Sequence, residues 1–324
     1  MAICGNLLLS SSIIFLAFAI WFNSSEFKPM EYHFPPLPTL TGPLAVNKPK
    51  ILEKLLEGEL IGPESIVVEK TLTRQSIAYC GRPLGIRRRN DKQFIVADAE
   101  LGILGIDFEK ERVETLLSTT KPIDGLKMRL PDDFDFIDND TIVFSDASTR
   151  YGLHDFLLSF LKHGGDGRII KFKISTGETQ VLVDGLDFPN GVQMHTDKQK
   201  GRLEIFIDNL PGYPDNIRIS SSGTSFYVAL FSHRNADNQD LFQKLGDWLM
   251  TRKVLGMLFR IFPSTIVEIL FNRGYGIAIE IDLDGKIIRS FHDIYDSSQL
   301  ADDGSEFIYL ASYNNKFIGR MTKN

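Results

Sequence analysis

Thr141–Asp146 reads TIVFSD, four β-branched or aromatic residues set between the polar turn Asp138-Asn139-Asp140 and a closing Ser-Asp. That composition predicts a strand, because such side chains suit a pleated, half-buried surface. The phrase returns as Gln93–Asp98 (QFIVAD), Ser225–Leu230 (SFYVAL) and Phe307–Ser312 (FIYLAS), each after a polar turn. A second phrase, Asp-Gly ahead of an apolar run, occurs at Asp166–Ile170 and Asp284–Ile288 and is a hairpin signal. Units repeated in this way predict four-stranded sheets arranged as an all-β propeller. The alternative is a β-sandwich with many hairpins, for which the span 51–324 is long.

Bulk properties narrow the function. The 324 residues carry a formal net charge of −6, which excludes a strongly basic nucleic-acid surface, so no nucleic-acid partner is expected. Two cysteines, Cys4 and Cys80, cannot build a disulfide framework or a cysteine-based zinc site.

The N-terminus has a different character. Ile3–Phe22 is uncharged and largely apolar, and about 20 helical residues reach across the ~30 Å hydrocarbon layer of a bilayer. Residues 1–27 therefore read as a signal-anchor transmembrane segment ending on Trp21 and Phe22, with Ala17-Phe18-Ala19 leaving a cleavable signal peptide as the alternative. The resulting topology is single-pass type II in the endoplasmic reticulum or plasma membrane, with the propeller on the luminal or extracellular side. Residues 28–50 are proline-rich and read as an extended linker. Asn23 and Asn139 head glycosylation sequons, Asn139 in a turn.

One segment breaks the β pattern. Within 238–273, Leu241, Phe242, Leu245, Trp248 and Leu249 recur at helical spacing, as do Leu255, Leu258, Phe259 and Phe262 before Pro263. This helical insertion packs on the propeller or, with Arg252, Lys253 and Arg260, lies on a membrane surface.

Four phrases in order carry a resemblance: Gly62–Ser65 (GPES), Cys80–Ile86 (CGRPLGI), Phe188–Val192 (FPNGV) and Leu210–Arg218 (LPGYPDNIR). The series resembles the strictosidine-synthase-like family over about residues 50–324. The resemblance implies a six-bladed β-propeller on an N-terminal signal-anchor. In the animal branch it also implies arylesterase- or lactonase-type hydrolysis of small-molecule esters around a bound calcium. Carried over position by position, the calcium ligands are Glu64, Asn190, Asp215 and Asn216, with Asp132 where the family has Asn. Calcium takes six to eight oxygen ligands and acts as a Lewis acid, which suits these donors. Taken one at a time, each also reads as an ordinary turn or surface residue.

Strictosidine synthase itself condenses an amine with an aldehyde using a glutamate, and Gln299 stands near that place. Gln exchanges no proton, so condensation is disfavoured. None of the six histidines is singled out as a base, and no G-x-S-x-G nucleophile elbow is present.

Two stretches are shorter than the family pattern implies, 66–79 and 195–207, so blades 1 and 4 are expected to be incomplete and Cys80 to lack a partner. The alternative function is then a non-catalytic propeller that binds a protein or lipid partner.

Overall fold

The computed structural model describes residues 22, 24–46, 53–60, 81–195, 203–236, 239, 241–262, 266, 270, 276–293, 299–302, 304–312 and 315–323. Their strands form four antiparallel four-stranded sheets, the blades of a β-propeller. The first holds β2 (Pro83–Arg88), β3 (Gln93–Asp98), β4 (Gly102–Asp107) and β5 (Arg112–Ser118). The second holds β6 (Pro131–Asp138), β7 (Thr141–Asp146), β8 (Gly167–Lys173) and β9 (Glu178–Leu186). The third holds β10 (Gly212–Ile219), β11 (Ser225–His233), β12 (Gly276–Asp282) and β13 (Ile287–Asp293).

The fourth blade joins the two ends of the body. β14 (Gln299–Asp302), β15 (Phe307–Ala311) and β16 (Ile318–Thr322) are completed at the outer edge by β1 (Glu53–Leu55). Glu53 pairs in register with Arg320, whose Nε donates to Glu53 Oε2 at 3.0 Å. The early strand thus covers an edge that would otherwise stand open.

The expectation of six blades is corrected to four among the described residues. Residues 61–80 fall outside the described residues, and between β9 and β10 no described residue belongs to a strand. A strand of five or six residues with its turn is the smallest pleated unit, and a blade needs four of them.

Burial follows position in the blade. β11 is buried at all nine positions, because neighbouring blades cover both faces, whereas the outer β9 alternates between exposed and half-buried. The first two blades share a core of Ile95, Ile103, Phe134, Phe144 and Phe172. The last two share Tyr227, Phe291, Leu300, Ile308 and Met321.

A third core lies on the helices. α1 (Phe156–Lys162) packs on α3 (Leu249–Phe259), with α2 (Leu241–Leu245) beside them. The proline-rich stretch is extended, and it is docked on this layer. Phe27, 2% exposed, sits against Gly256, where a Cβ would meet its ring at 2.4 Å. Met30 N donates to Lys162 O at 2.8 Å, Phe34 N to Asp247 Oδ1 at 2.8 Å, and Arg234 Nη2 to Pro35 O at 3.1 Å. Arg252, outward only under the alternative membrane-surface reading, is fully buried and donates to Leu161 O at 3.1 Å and to Met30 O.

Of the expected signal-anchor segment 1–27, residues 1–21 and 23 lie outside the described residues. No helix among the described residues is long and apolar enough to cross a membrane.

Candidate functional site

The inner strands of the first three blades share one local device. Each carries a proline at or near its start followed by a register slip: after Pro83 in β2, after Pro131 in β6 and after Pro214, the third residue of β10. In β6, Pro131 faces Asp146 and Phe134 faces Phe144, so one extra residue is accommodated at Asp132–Asp133. In β10, Pro214 faces Leu230 and Ile217 faces Val228, which places the bulge at Asp215–Asn216. Proline donates no ladder hydrogen bond, and a bulge re-aims the side chains it carries. The expected ligands Asp132, Asp215 and Asn216 therefore sit at the points where the strands turn their side chains out of register.

Asp132 and Asp133 are neighbours with different surroundings. Asp133 is fully buried and accepts hydrogen bonds from Arg218 Nη1 at 2.7 Å, Val192 N at 3.0 Å and Arg87 Nη2 at 3.4 Å. One carboxylate therefore ties together β2, β6, β10 and the segment after β9. Burial, with the nearby Arg218 charge, pushes the Arg87 guanidinium down to about 10, so it remains charged at neutral pH.

Asp132, Asn190 and Asp215 line a single cavity of about 670 Å³. Asn190 is brought to β10 by Gly191, whose N donates to Asp215 O at 2.9 Å. A Cβ at Gly191 would lie 2.6 Å from both Asp215 O and Ile217 N, so the approach requires glycine. Ser145 Oγ donates to Asn190 O at 2.6 Å and fixes it from the other side. Asn216 is buried beside Asp215 and donates through Nδ2 to Asp215 Oδ1 at 3.3 Å.

The Oδ1 atoms of Asn190 and Asn216 are buried without a hydrogen-bond partner. Leaving a buried acceptor unpaired is costly, and a cation is one way to satisfy it. Asn190 with the Asp132 and Asp215 carboxylates in the cavity, and Asn216 next to Asp215, are all oxygen donors, the type that fits calcium. Among the described residues no three His, Cys, Asp or Glu side chains converge as a metal cluster. A calcium here would therefore depend on the asparagines. Glu64 lies outside the described residues.

The rest of the cavity is aromatic. Phe156 and Phe160 of α1, Phe188, Tyr213, and Tyr32 and Phe34 of the docked N-terminal stretch line it. Phe160 and Phe188 lie 4.5 Å apart between ring centroids. Phe188 holds φ at +50°, an unusual conformation for a bulky residue and one that other contacts must sustain.

The cavity also contains His163 and Asp187, which sequence reasoning did not select. His163 ends α1 in the left-handed conformation, its ring stacked on Tyr32 at 3.9 Å and 4° between planes. Its Nδ1 faces Asp187 Oδ2 at 3.7 Å, and its Nε2 is buried without a hydrogen-bond partner. The imidazole holds the Asp187 carboxyl below its usual range, outweighing the upward push of partial burial. Burial raises the Tyr32 hydroxyl above its usual value. A readable signal for the site was present in the prolines: Arg82-Pro83, Leu130-Pro131 and Tyr213-Pro214 recur at the start of each inner strand, and all but Pro83 and Pro131 line the cavity. Nothing in the local sequence distinguished His163.

Comparison with known proteins agrees with this architecture. The strictosidine synthase family model matches residues 132–203, from the β6 bulge past Asn190. Adipocyte plasma membrane-associated protein of Rattus norvegicus is 30% identical over 363 positions, covering 94% of this chain and 95% of that protein. The alignment is longer than the chain's 324 residues, so the relative carries residues that this chain lacks. Strictosidine synthase-like protein 4 of Arabidopsis thaliana is 32% identical over 233 residues, covering 66% of this chain and 59% of that protein. Among solved structures, the calcium structure of a Trichoderma reesei carbohydrate-active enzyme of family AA12 has a TM-score of 0.50 at 10% identity. It covers 88% of this chain and 100% of that one, a likeness of fold alone. The ordered motifs, the propeller blades and the full-length similarity together place this chain in the strictosidine-synthase-like family, alongside the adipocyte plasma membrane-associated proteins.

Proposed function

We propose that the chain is a membrane-associated hydrolase of arylesterase or lactonase type, with calcium held by Asp132, Asn190, Asp215 and Asn216, and by Glu64 on sequence grounds. The observation that carries this reading is the partnerless buried Oδ1 of Asn190, which lines one cavity with the Asp132 and Asp215 carboxylates, together with the partnerless buried Oδ1 of Asn216 next to Asp215. When bound, calcium supplies a Lewis acid for an ester carbonyl. The chain's own residues supply the remainder. Phe156, Phe160, Phe188 and Tyr213 form an apolar wall that suits the aryl or alkyl part of an ester and excludes water. His163 takes the proton of the attacking water at Nε2, while Asp187 holds the ring through the Nδ1 side and stabilises the imidazolium. The apolar stretch Ile3–Phe22 anchors the chain as a single-pass type II protein of the endoplasmic reticulum or plasma membrane.

The test is calcium-dependent thermal stabilisation of the purified full chain, with and without chelator, followed by phenyl-ester and lactone hydrolysis. Ligand binding to the folded state raises its stability, so a saturable shift that Asn190→Ala and Asp215→Ala remove is expected. Hydrolysis insensitive to chelator and to both substitutions would sink the assignment. Calcium binding without hydrolysis of any ester would favour the non-catalytic binding propeller.

A further inference from the structure

The helical layer presents an outward face that the proposed hydrolysis does not use. α3 turns Arg252, Gly256 and Phe259 inward at helical spacing, and all three are buried. Large apolar residues are nevertheless exposed at both ends of the helix. Trp248 is 64% exposed and Met250 63%, with Leu249 beside them, and Ile261 and Phe262 are exposed at the other end. Large exposed apolar residues gathered in this way mark an interaction surface.

The neighbourhood indicates what covers that surface. Phe22 ends the uncharged stretch Ile3–Phe22, whose length matches a bilayer. The Phe22 ring lies 4.2 Å from Lys253 Nζ on α3. The end of that stretch therefore lies against α3, the helix that follows Trp248 and carries Met250. Lys253 and Arg260 border the same surface and suit anionic headgroups. Arg252 is not available for this role, because it is buried on backbone carbonyls.

We propose that Trp248–Met250 and Ile261–Phe262 insert into the interfacial layer of a lipid bilayer, with Lys253 and Arg260 at headgroup level. The helical insertion then forms a second membrane contact beside the N-terminal stretch and fixes the orientation of the propeller on the membrane. The aromatic cavity, which shares Phe156, Phe160 and Phe242 with the core of this helical layer, is thereby held near the lipid surface.

The sequence contains its own probe, since its two tryptophans are Trp21 and Trp248. The full chain carrying Trp21→Phe is reconstituted into phosphatidylcholine–phosphatidylserine vesicles that contain a shallow doxyl-labelled lipid. Insertion predicts a blue-shifted Trp248 emission that loses most of its intensity to the labelled lipid, with the quenching reduced by Met250→Gln plus Ile261→Gln. The Trp248→Phe chain, reporting Trp21, serves as the control for reconstitution. Trp248 emission at the wavelength of a water-exposed indole overturns the proposal. So does a blue shift without lipid quenching, which would indicate a second protein copy on this face.

Discussion

Arg218 Nη1 meets Asp133 Oδ2 at 2.7 Å, joining the inner strands of the second and third blades across 85 positions of sequence. Arg87 approaches the same oxygen from the first blade. Asp133→Asn would leave two largely buried guanidinium groups without their shared carboxylate. Breaking a buried pair by removing one partner costs about 3–5 kcal/mol. Urea unfolding of the variant is expected to show a loss of that order, and a loss below about 1 kcal/mol would remove Asp133 from its place as the tie between blades.

Gly191 is the closest backbone approach in the candidate calcium site, with no room for a Cβ between Asp215 O and Ile217 N. Gly191→Ala is expected to push Asn190 away from β10. Calcium-induced thermal stabilisation should disappear, with the metal-free melting temperature falling as well. A retained calcium shift would show that Asn190 is not a ligand.

His163→Gln keeps the size and polarity of the side chain but cannot accept and hold a proton. General-base catalysis contributes about 10²–10⁴-fold, so ester hydrolysis is expected to fall by at least two orders of magnitude while calcium stabilisation persists. Asp187→Asn should give a smaller loss, because Asp187 acts through the ring. Equal hydrolysis in wild type and His163→Gln would exclude this histidine as the base.

Arg252 satisfies Leu161 O at the end of α1 and Met30 O in the docked N-terminal stretch. Arg252→Met fills much of the volume and leaves both carbonyls without this donor, each worth about 1–3 kcal/mol when unsatisfied. Limited proteolysis should cut within residues 28–40 faster in the variant than in the wild type. Unchanged cleavage would mean that Phe27 and Phe34 suffice to dock the stretch.

His292 gives the same stretch a pH dependence. Its Nε2 lies 3.0 Å from Ser290 Oγ, which donates to Pro43 O at 2.9 Å. Burial lowers the pKa of His292, the nearby His233 lowers it further, and a hydrogen bond involving Leu44 backbone opposes both. With the folded-state pKa below the unfolded value of about 6.5, the stabilisation is complete above that value and is lost as pH falls through the folded one. Thermal unfolding should therefore show stability decreasing from neutral pH into the acid range, by less in His292→Gln. Identical pH profiles for the two chains would refute this.

The identity of individual strands was local information. TIVFSD is β7 and QFIVAD is β3, residue for residue, because alternating β-branched and aromatic side chains suit only a pleated segment. The ordered motifs likewise identified Asp132, Asn190 and Asp215, which one cavity brings together. Tertiary structure decided the rest. Strand composition carries no record of which strand lies beside it, so the four blades among the described residues and the β1–β16 closure appear only in three dimensions. A one-residue step along a strand reverses the side chain, and a bulge shifts that step again. Hence Asp132 lines the cavity while Asp133, identical in chemistry and adjacent in sequence, binds two arginines from other blades. His163 became distinct from the other histidines only when α1, Asp187 and Tyr32 closed around it.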